Sequence, residues 1–265
     1  MIPDYHSITE IPGLSATTEQ IERLYHRYRF ALDFSDGKRV LEVACGSGMG
    51  LKLLSGKATV VAGGDIDASN LHLAASICEG AKTSLYRMDA HCLPFKNDSF
   101  DTILLFESIY YLKNPEKFVR ESARVLRNGG HLIIGTVNKS WNDFHPSPFA
   151  QGYFSVPELR DLLAGVFPHV QMYGVFPVQD GGVRNLLISF IKRIAVQLRL
   201  IPGSLAARAY LKRLFIGPLQ PLPLFLQEGM MPYPPPEKIA ADMPDGKFKI
   251  VYAVAWGPSD DKKGY

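Results

Sequence analysis

The chain has 265 residues, of which 46% are hydrophobic and 21% are charged, and its mean hydropathy is near zero. This composition is typical of a globular protein and excludes disordered, collagen-like and low-complexity classes. Three cysteines without a CxxC pair support neither a disulfide framework nor a zinc site, and we expect no bound metal. No signal peptide and no spanning apolar stretch is recognisable, so we expect a cytoplasmic protein.

The net charge of +3 is unevenly distributed along the chain. Seven Lys and Arg residues, and no Asp or Glu, lie between Gly181 and Gln227. The remainder of the chain is therefore net acidic. An acidic body offers no broad surface for a phosphate backbone, and we expect no nucleic-acid partner.

The first half alternates short apolar runs with segments of helical period. These predict strands at residues 39–43, 58–65, 83–88, 101–106 and 131–137, with helices beginning at Met49 and spanning 69–78 and 115–126. Asn128–Gly130 is expected to end the last of these helices. Alternation of strands and helices predicts an α/β fold with an open, doubly wound, mostly parallel sheet.

The second half is less regular. It predicts a helix at 156–163, a strand at 170–175 and a last strand at 248–256. We therefore divide the chain into an N-terminal helical cap (1–35), a core (36–175 and 247–257) and a basic, apolar insertion (176–246).

The most specific motif follows the first predicted strand. Glu42 is followed by a turn of small residues, Ala44–Gly48, at the start of a helix. Such a turn brings backbone N–H groups close to a ligand. The next strand ends at Asp65, where a carboxylate can accept both hydroxyls of a ribose. The third strand is followed by Asp89. Leu51 replaces the third glycine of a dinucleotide motif, which disfavours that alternative.

Four blocks occur in order across residues 38–137: VLEVACGSGMG, VVAGGDID, MDAHCLPFKNDSFDTILLFESIYYL and RVLRNGGHLII. This series resembles the class I S-adenosylmethionine-dependent methyltransferases, in the small-molecule group that includes the ubiquinone-biosynthesis enzymes. The resemblance implies a Rossmann-like, seven-stranded sheet with an antiparallel last strand and a helical insertion before it. It also implies methyl transfer, S-adenosylmethionine as cofactor and S-adenosylhomocysteine as product.

The resemblance further implies which residues contact the cofactor. Glu42 and the turn would face its methionine part, and Asp65 its ribose. The first glycine of the family turn is Ala44 here, which should matter little if its φ angle is negative. The implied cofactor-binding residues are Glu42, Ala44, Cys45, Gly46, Gly48, Asp65, Ile66, Asp89, Ala90 and Phe106.

The acceptor site is less defined, because the family places acceptor-facing groups after the fourth strand, where the chain has Glu107 and two tyrosines. We expect Glu107 or His145 to be the catalytic base. The expected acceptor-pocket residues are Tyr110, Tyr111, Trp141 and Tyr153. Oxygen is our first choice of methylated atom; nitrogen or carbon methylation of a soluble sugar or metabolite, and a non-catalytic cofactor-binding scaffold, are the alternatives.

The basic segment 181–227 predicts two amphipathic helices, 187–198 and 204–216. Basic amphipathic helices bind anionic membrane surfaces, which favours peripheral membrane association and a lipid-linked acceptor. The same pattern is consistent with a lid over the active site or with a homodimer contact.

Overall fold

The computed structural model describes residues 9–178 and 218–257. The elements in chain order are β1 (Ser15–Thr17), α1 (Thr18–Leu32), β2 (Arg39–Val43), α2 (Leu51–Ser55), β3 (Val60–Asp65), α3 (Ala68–Ile77), β4 (Thr83–Arg87), β5 (Phe100–Phe106), a 3₁₀ turn (Ile109–Tyr111), α4 (Pro115–Val125), β6 (Leu126–Val137), α5 (Val156–Ala164), β7 (His169–Pro177), β8 (Leu219–Pro221), β9 (Glu237–Ile239) and β10 (Phe248–Trp256).

The large sheet has the strand order β4-β3-β2-β5-β6-β10-β7-β9. The pairs from β4 to β6 are parallel, whereas β10 runs antiparallel to both β6 and β7. The predicted doubly wound sheet with an antiparallel last strand is confirmed. Its strand number is eight, because β9 pairs with β7 from within the segment that we predicted as an insertion.

The core lies on both faces of this sheet because successive strand residues point to opposite sides. In β5, Leu104 and Phe106 join the cluster formed with α1 and α2. Ile103 and Leu105 join the cluster that packs under α4 and α5. All four side chains are buried, as the apolar run predicts for a central parallel strand.

Local capping defines the helices that border the site. The Thr17 side chain and Gln20 form a reciprocal capping box at the start of α1. Asn114 caps α4, whose first residue is Pro115. The helix ends at Val125, before the predicted stop. Residues 127–130 instead form an irregularity within β6, where the pairing with β5 shifts.

The proline-rich part of the predicted insertion packs against the N-terminal helices. β8 pairs antiparallel with β1, and the Leu226 N–H donates to the Met49 carbonyl oxygen at 3.0 Å, an ordinary backbone hydrogen bond. Tyr25 on α1 accepts a hydrogen bond from the Gly229 N–H at 2.8 Å. This segment therefore belongs to the same core as α1.

The predicted helices 187–198 and 204–216, and all seven basic residues of the segment, lie outside the described residues. Among residues 9–178 and 218–257, none of the helices combines the length and the apolar character that a bilayer-spanning helix requires.

Candidate functional site

A cavity of about 640 Å³ lies at the carboxyl ends of β2, β3 and β5. Ligands of open parallel sheets bind at this edge, and the volume is within the usual range for small-molecule sites. Helix α1 and the 3₁₀ turn form the opposite wall. Nine of the predicted cofactor residues line the cavity: Glu42, Ala44, Cys45, Gly46, Asp65, Ile66, Asp89, Ala90 and Phe106.

Asp65 links the ends of β2 and β3. Its Oδ2 accepts a hydrogen bond from the Gly46 N–H, and its Oδ1 accepts one from the Asp67 N–H, both at 2.9 Å. Burial raises the pKa of this carboxyl, while the backbone donors act in the opposite direction. These contacts orient the carboxylate toward the cavity and leave acceptor capacity for hydroxyl groups of a ligand.

Glu42 is buried in the floor of the cavity. Its Oε1 accepts a hydrogen bond from the Tyr28 hydroxyl at 2.5 Å, and its Oε2 has no partner among the described residues. Burial raises the pKa of Glu42 to about 8, against the opposing effects of Tyr28 and Arg27. A buried oxygen without a partner is costly unless a ligand satisfies it. It is well suited to a cationic group such as the ammonium of a methionine moiety.

The glycine turn has left-handed backbone geometry at three positions. The φ angles are +55° at Ala44, +55° at Gly46 and +74° at Gly48. Gly48 does not line the cavity; a Cβ there would lie 2.7 Å from the Ala74 Cβ, so this glycine allows α3 to pack closely. Ala44 does not have the negative φ angle at which its replacement of the family's glycine would matter little. Its positive φ is strained for alanine, because the Cβ approaches the backbone carbonyl oxygen.

Asp89 lies at the mouth of the cavity beside His91. Its Oδ1 accepts from the His91 N–H at 2.8 Å and from the imidazole Nδ1 at 2.6 Å. Since the Asn114 N–H donates to the His91 Nε2 at 3.2 Å, the proton of a neutral ring lies on Nδ1. These donors lower the pKa of Asp89 and leave Oδ2 available to a ligand.

The other end of the cavity contains Glu107. This residue has a positive φ of +49°, which is uncommon outside glycine and clusters at functional sites. Tyr110 donates its hydroxyl hydrogen bond to the Glu107 Oε2 at 3.0 Å. Burial raises the pKa of Glu107, although Arg27 lowers it in part. A carboxyl with a raised pKa is a better proton acceptor near neutral pH.

The remaining predicted acceptor residues differ in position. Tyr111 lines the cavity together with Tyr110. Tyr153 does not line it but stacks on the Tyr110 ring at a centroid distance of 4.6 Å. Trp141 lines a smaller adjoining hollow of about 290 Å³. His145 is exposed and does not line the main cavity, so the structure does not bring it to Glu107.

Sequence reasoning missed the wall formed by α1. Five of its residues line the cavity at positions i, i+3, i+4, i+7 and i+8: Gln20, Arg23, Leu24, Arg27 and Tyr28. This is the stripe that normally faces the core and is apolar. The signal was present in the sequence, because a helix with charged residues on its inward stripe indicates a polar cavity beneath it.

Residues 41–134 match the family described as "Methyltransferase domain". The chain is 36% identical over 140 residues to methyltransferase GfsG of Streptomyces halstedii, covering 51% of this chain and 48% of that protein. It is 34% identical over 184 residues to a fatty-acid O-methyltransferase of Mycolicibacterium smegmatis, covering 66% and 61%. The chain thus spans about half of the length of the Streptomyces relative and about three fifths of that of the Mycolicibacterium relative.

The fold is shared with solved structures, among them an S-adenosylmethionine-dependent methyltransferase of Thermotoga maritima with a TM-score of 0.55 at 18% identity, covering 90% of this chain and 94% of that one. The YcgJ protein of Bacillus subtilis superposes with a TM-score of 0.56 at 18% sequence identity, covering 91% of this chain and 99% of that one. At this identity the likeness concerns the fold alone. The family match and the sequence relatives agree that residues 41–134 carry a methyltransferase domain, and the fold around it is the Rossmann-like one seen in a solved S-adenosylmethionine-dependent methyltransferase.

Proposed function

We propose that this protein transfers a methyl group from S-adenosylmethionine to a small-molecule or lipid acceptor, with oxygen as the methylated atom. One observation carries the proposal: a single cavity joins the Glu42–Asp65 end, which is suited to the cofactor, to a second polar end around Glu107. A cofactor and an acceptor can therefore be bound side by side.

The residues present fit this cofactor. The Glu42 Oε2, which has no hydrogen-bond partner within residues 9–178 and 218–257, would accept from its ammonium, Asp65 from its ribose hydroxyls and Asp89 from its adenine amino group. When bound, the cofactor would supply a methyl group activated by its sulfonium, with the neutral thioether of S-adenosylhomocysteine as the leaving group. The protein's part is to align the acceptor and to exclude water.

Glu107 is our candidate for the catalytic base. It lies in the wall of the cavity next to Phe106, and Tyr110 orients one of its oxygens. An acceptor hydroxyl would lose its proton to this carboxylate as its oxygen takes the methyl group. His145 is a weaker candidate because it is exposed outside the cavity.

A lipid or other largely apolar acceptor fits the apolar part of the cavity lining. Leu24, Val137 and Ile250 contribute apolar surface there. The likeness to a fatty-acid O-methyltransferase supports an acceptor of this kind. A soluble metabolite methylated on nitrogen or carbon is the alternative, and a screen for cofactor turnover with lipid and polar metabolite pools would distinguish the two.

The proposed cofactor site is tested by calorimetry with S-adenosylhomocysteine. Asp65→Ala should weaken binding at least tenfold, because one charge-assisted acceptor pair is lost. Asp36→Ala, which removes an exposed aspartate on the surface, is the matched control and should leave the affinity unchanged. Equal affinities for wild type and Asp65→Ala would contradict the ribose assignment. Tight binding without any turnover would favour a non-catalytic cofactor-binding protein.

We further propose that the basic segment 181–227 contacts anionic membranes. Its charge pattern in the sequence supports this. Co-sedimentation with anionic and neutral vesicles, in the presence of S-adenosylhomocysteine, tests it. Salt-sensitive binding to anionic vesicles alone should be lost when Lys192, Arg193, Lys212 and Arg213 are changed to Glu. Absence of binding by the full chain would leave the lid and the homodimer contact.

A further inference from the structure

We propose that the acceptor carries a carboxylate, which the cationic face of α1 binds through Arg23 and Arg27. The inference deepens the proposed function and rests on it, because it names the chemical class that the acceptor end of the cavity recognises. It starts from the inward stripe of α1, where two arginines occupy positions that ordinarily hold core residues.

Arg27 is a buried cation in the wall of the cavity. The residue is 8% exposed, its guanidinium lies 6.0 Å from the Phe106 ring centroid, and it is near enough to both Glu42 and Glu107 to lower their pKa values, so it lies between the two ends. Its terminal nitrogens pair with the Glu10 carboxylate, whereas its buried Nε has no hydrogen-bond partner among the described residues. A guanidinium presents its donors in a rigid fork, so a free Nε beside the cavity is a site for one further oxygen.

Arg23 lies one helical turn before Arg27 and repeats the arrangement. A terminal nitrogen pairs with Glu19 at 2.5 Å, and its Nε is also buried without a partner among the described residues. Two adjacent guanidinium groups with unsatisfied donors favour a planar anion over a neutral hydroxyl, because charge-assisted hydrogen bonds are about twice as strong as neutral ones. A carboxylate has the matching geometry.

The surroundings indicate where the rest of the acceptor extends. Arg23 and Gln20 line both the main cavity and the adjoining hollow, so these two residues stand at the junction. Trp141 and Lys249 form the far side of that hollow, with the Lys249 Nζ 5.7 Å from the indole centroid. An apolar chain attached to the carboxylate would run either along Leu24 or out over Trp141.

Several carboxylates near the two arginines already have partners of their own, including Glu42, which accepts from Tyr28. Glu10 and Glu19 are already paired with the two arginines, and Glu19 also pairs with Lys249 at 2.8 Å. Glu107 accepts a hydrogen bond from Tyr110, and Arg27 and Arg23 act on it favourably by lowering its pKa against the effect of burial. The cations of the α1 face thus retain donors for an incoming anion.

Calorimetry on the full chain saturated with S-adenosylhomocysteine tests the inference, with dodecanoate and dodecanol as probes of equal chain length. We expect dodecanoate to bind at least tenfold more tightly than dodecanol. Arg23→Gln and Arg27→Lys should each reduce this preference at least fivefold, because the first removes the charge and the second removes the Nε donor. The matched control is Arg120→Gln on the exposed surface of α4, which should keep the full preference.

Cofactor affinity is measured for each variant alongside thermal unfolding, and should stay within about threefold of wild type, because among the described residues the hydrogen bonds of Arg27 go to Glu10 and not to Glu42 or Asp65. Absence of a preference for the acid, or its persistence in both variants, overturns the inference while leaving the proposed function intact. A parallel loss of S-adenosylhomocysteine affinity also overturns it and assigns the arginines to the cofactor's own carboxylate. Failure of the wild type to bind S-adenosylhomocysteine would instead contradict the proposed function.

Discussion

The two ends of the cavity are built in different ways. The proposed cofactor end uses short stretches that directly follow parallel strands, and the Asp65 carboxylate there is oriented by the backbone N–H groups of Gly46 and Asp67. The acceptor end uses side chains from α1, the turn after β5 and β10, which are far apart in the chain. The first end is a local motif, whereas the second exists only after folding. The first can therefore be shared across a family while the second is free to change.

The sharpest separation of the two ends should come from Glu107. We expect Glu107→Gln to lower the methyl-transfer rate about 100-fold or more, because glutamine cannot accept the proton, while the affinity for S-adenosylhomocysteine changes less than about threefold. The rate is measured as S-adenosylhomocysteine release with the best acceptor of a lipid panel. His145→Ala serves as the control and should stay within about twofold. If His145→Ala lowered the methyl-transfer rate more than Glu107→Gln, the catalytic base would be His145 in the exposed loop.

The contact between α1 and Glu42, which connects the two ends of the cavity, should be sensitive to substitution of Gly50. A Cβ at this position would lie 1.9 Å from the Tyr28 ring, which connects α1 to Glu42. We expect Gly50→Ala to destabilise the protein by about 2 kcal/mol, as overpacking does, and to weaken cofactor binding. Urea unfolding measures the first effect. Gly152→Ala, where a Cβ would meet open space, should change stability by less than about 0.5 kcal/mol. Equal stability of both variants would show that α1 adjusts freely.

Glu42 should make the cofactor end dependent on pH. Its pKa in the folded protein is about 8, above the ordinary value of 4.5, so the folded state favours the protonated form. This contribution to stability is complete below pH 4.5 and is lost as the pH rises through 8. Relative to Glu42→Gln, the wild type should lose about 4 kcal/mol of unfolding free energy between pH 5 and pH 9.

Cofactor binding should show the opposite trend, because an ammonium needs the ionised carboxylate. Between pH 6 and pH 8, the affinity of the wild type for S-adenosylhomocysteine should rise about tenfold more than that of Glu42→Gln. If calorimetry gave wild type and Glu42→Gln the same pH dependence of affinity, Glu42 would not be a cofactor-binding residue.

The smallest expected effect concerns the strained turn. Ala44→Gly should stabilise the protein by about 1 kcal/mol, because glycine adopts a positive φ without the Cβ conflict. Ala75→Gly on the exposed side of α3 should have the opposite sign and destabilise by about 0.5–1 kcal/mol. Thermal unfolding of both variants checks the pair. Destabilisation by both would mean that the strain at Ala44 is negligible.

Much of the fold was predictable from the sequence because its signals are local. The apolar run of β5 and the Pro115 start of α4 both depend on residues close in the chain, and both were predicted within one residue. The eighth strand was not, since β9 has only three residues and pairs with β7 across a long separation. So short an element has no periodicity of its own to detect.

By itself, the sequence determined the α/β core and the turn and carboxylates that follow its parallel strands, because strand order brings those short motifs to one edge. The tertiary structure decided the rest. It gave Ala44 a positive φ, left His145 exposed, and placed Arg23 and Arg27 of α1 opposite Glu107. These outcomes depend on packing between distant segments, and packing is a property of the whole chain that no short motif encodes.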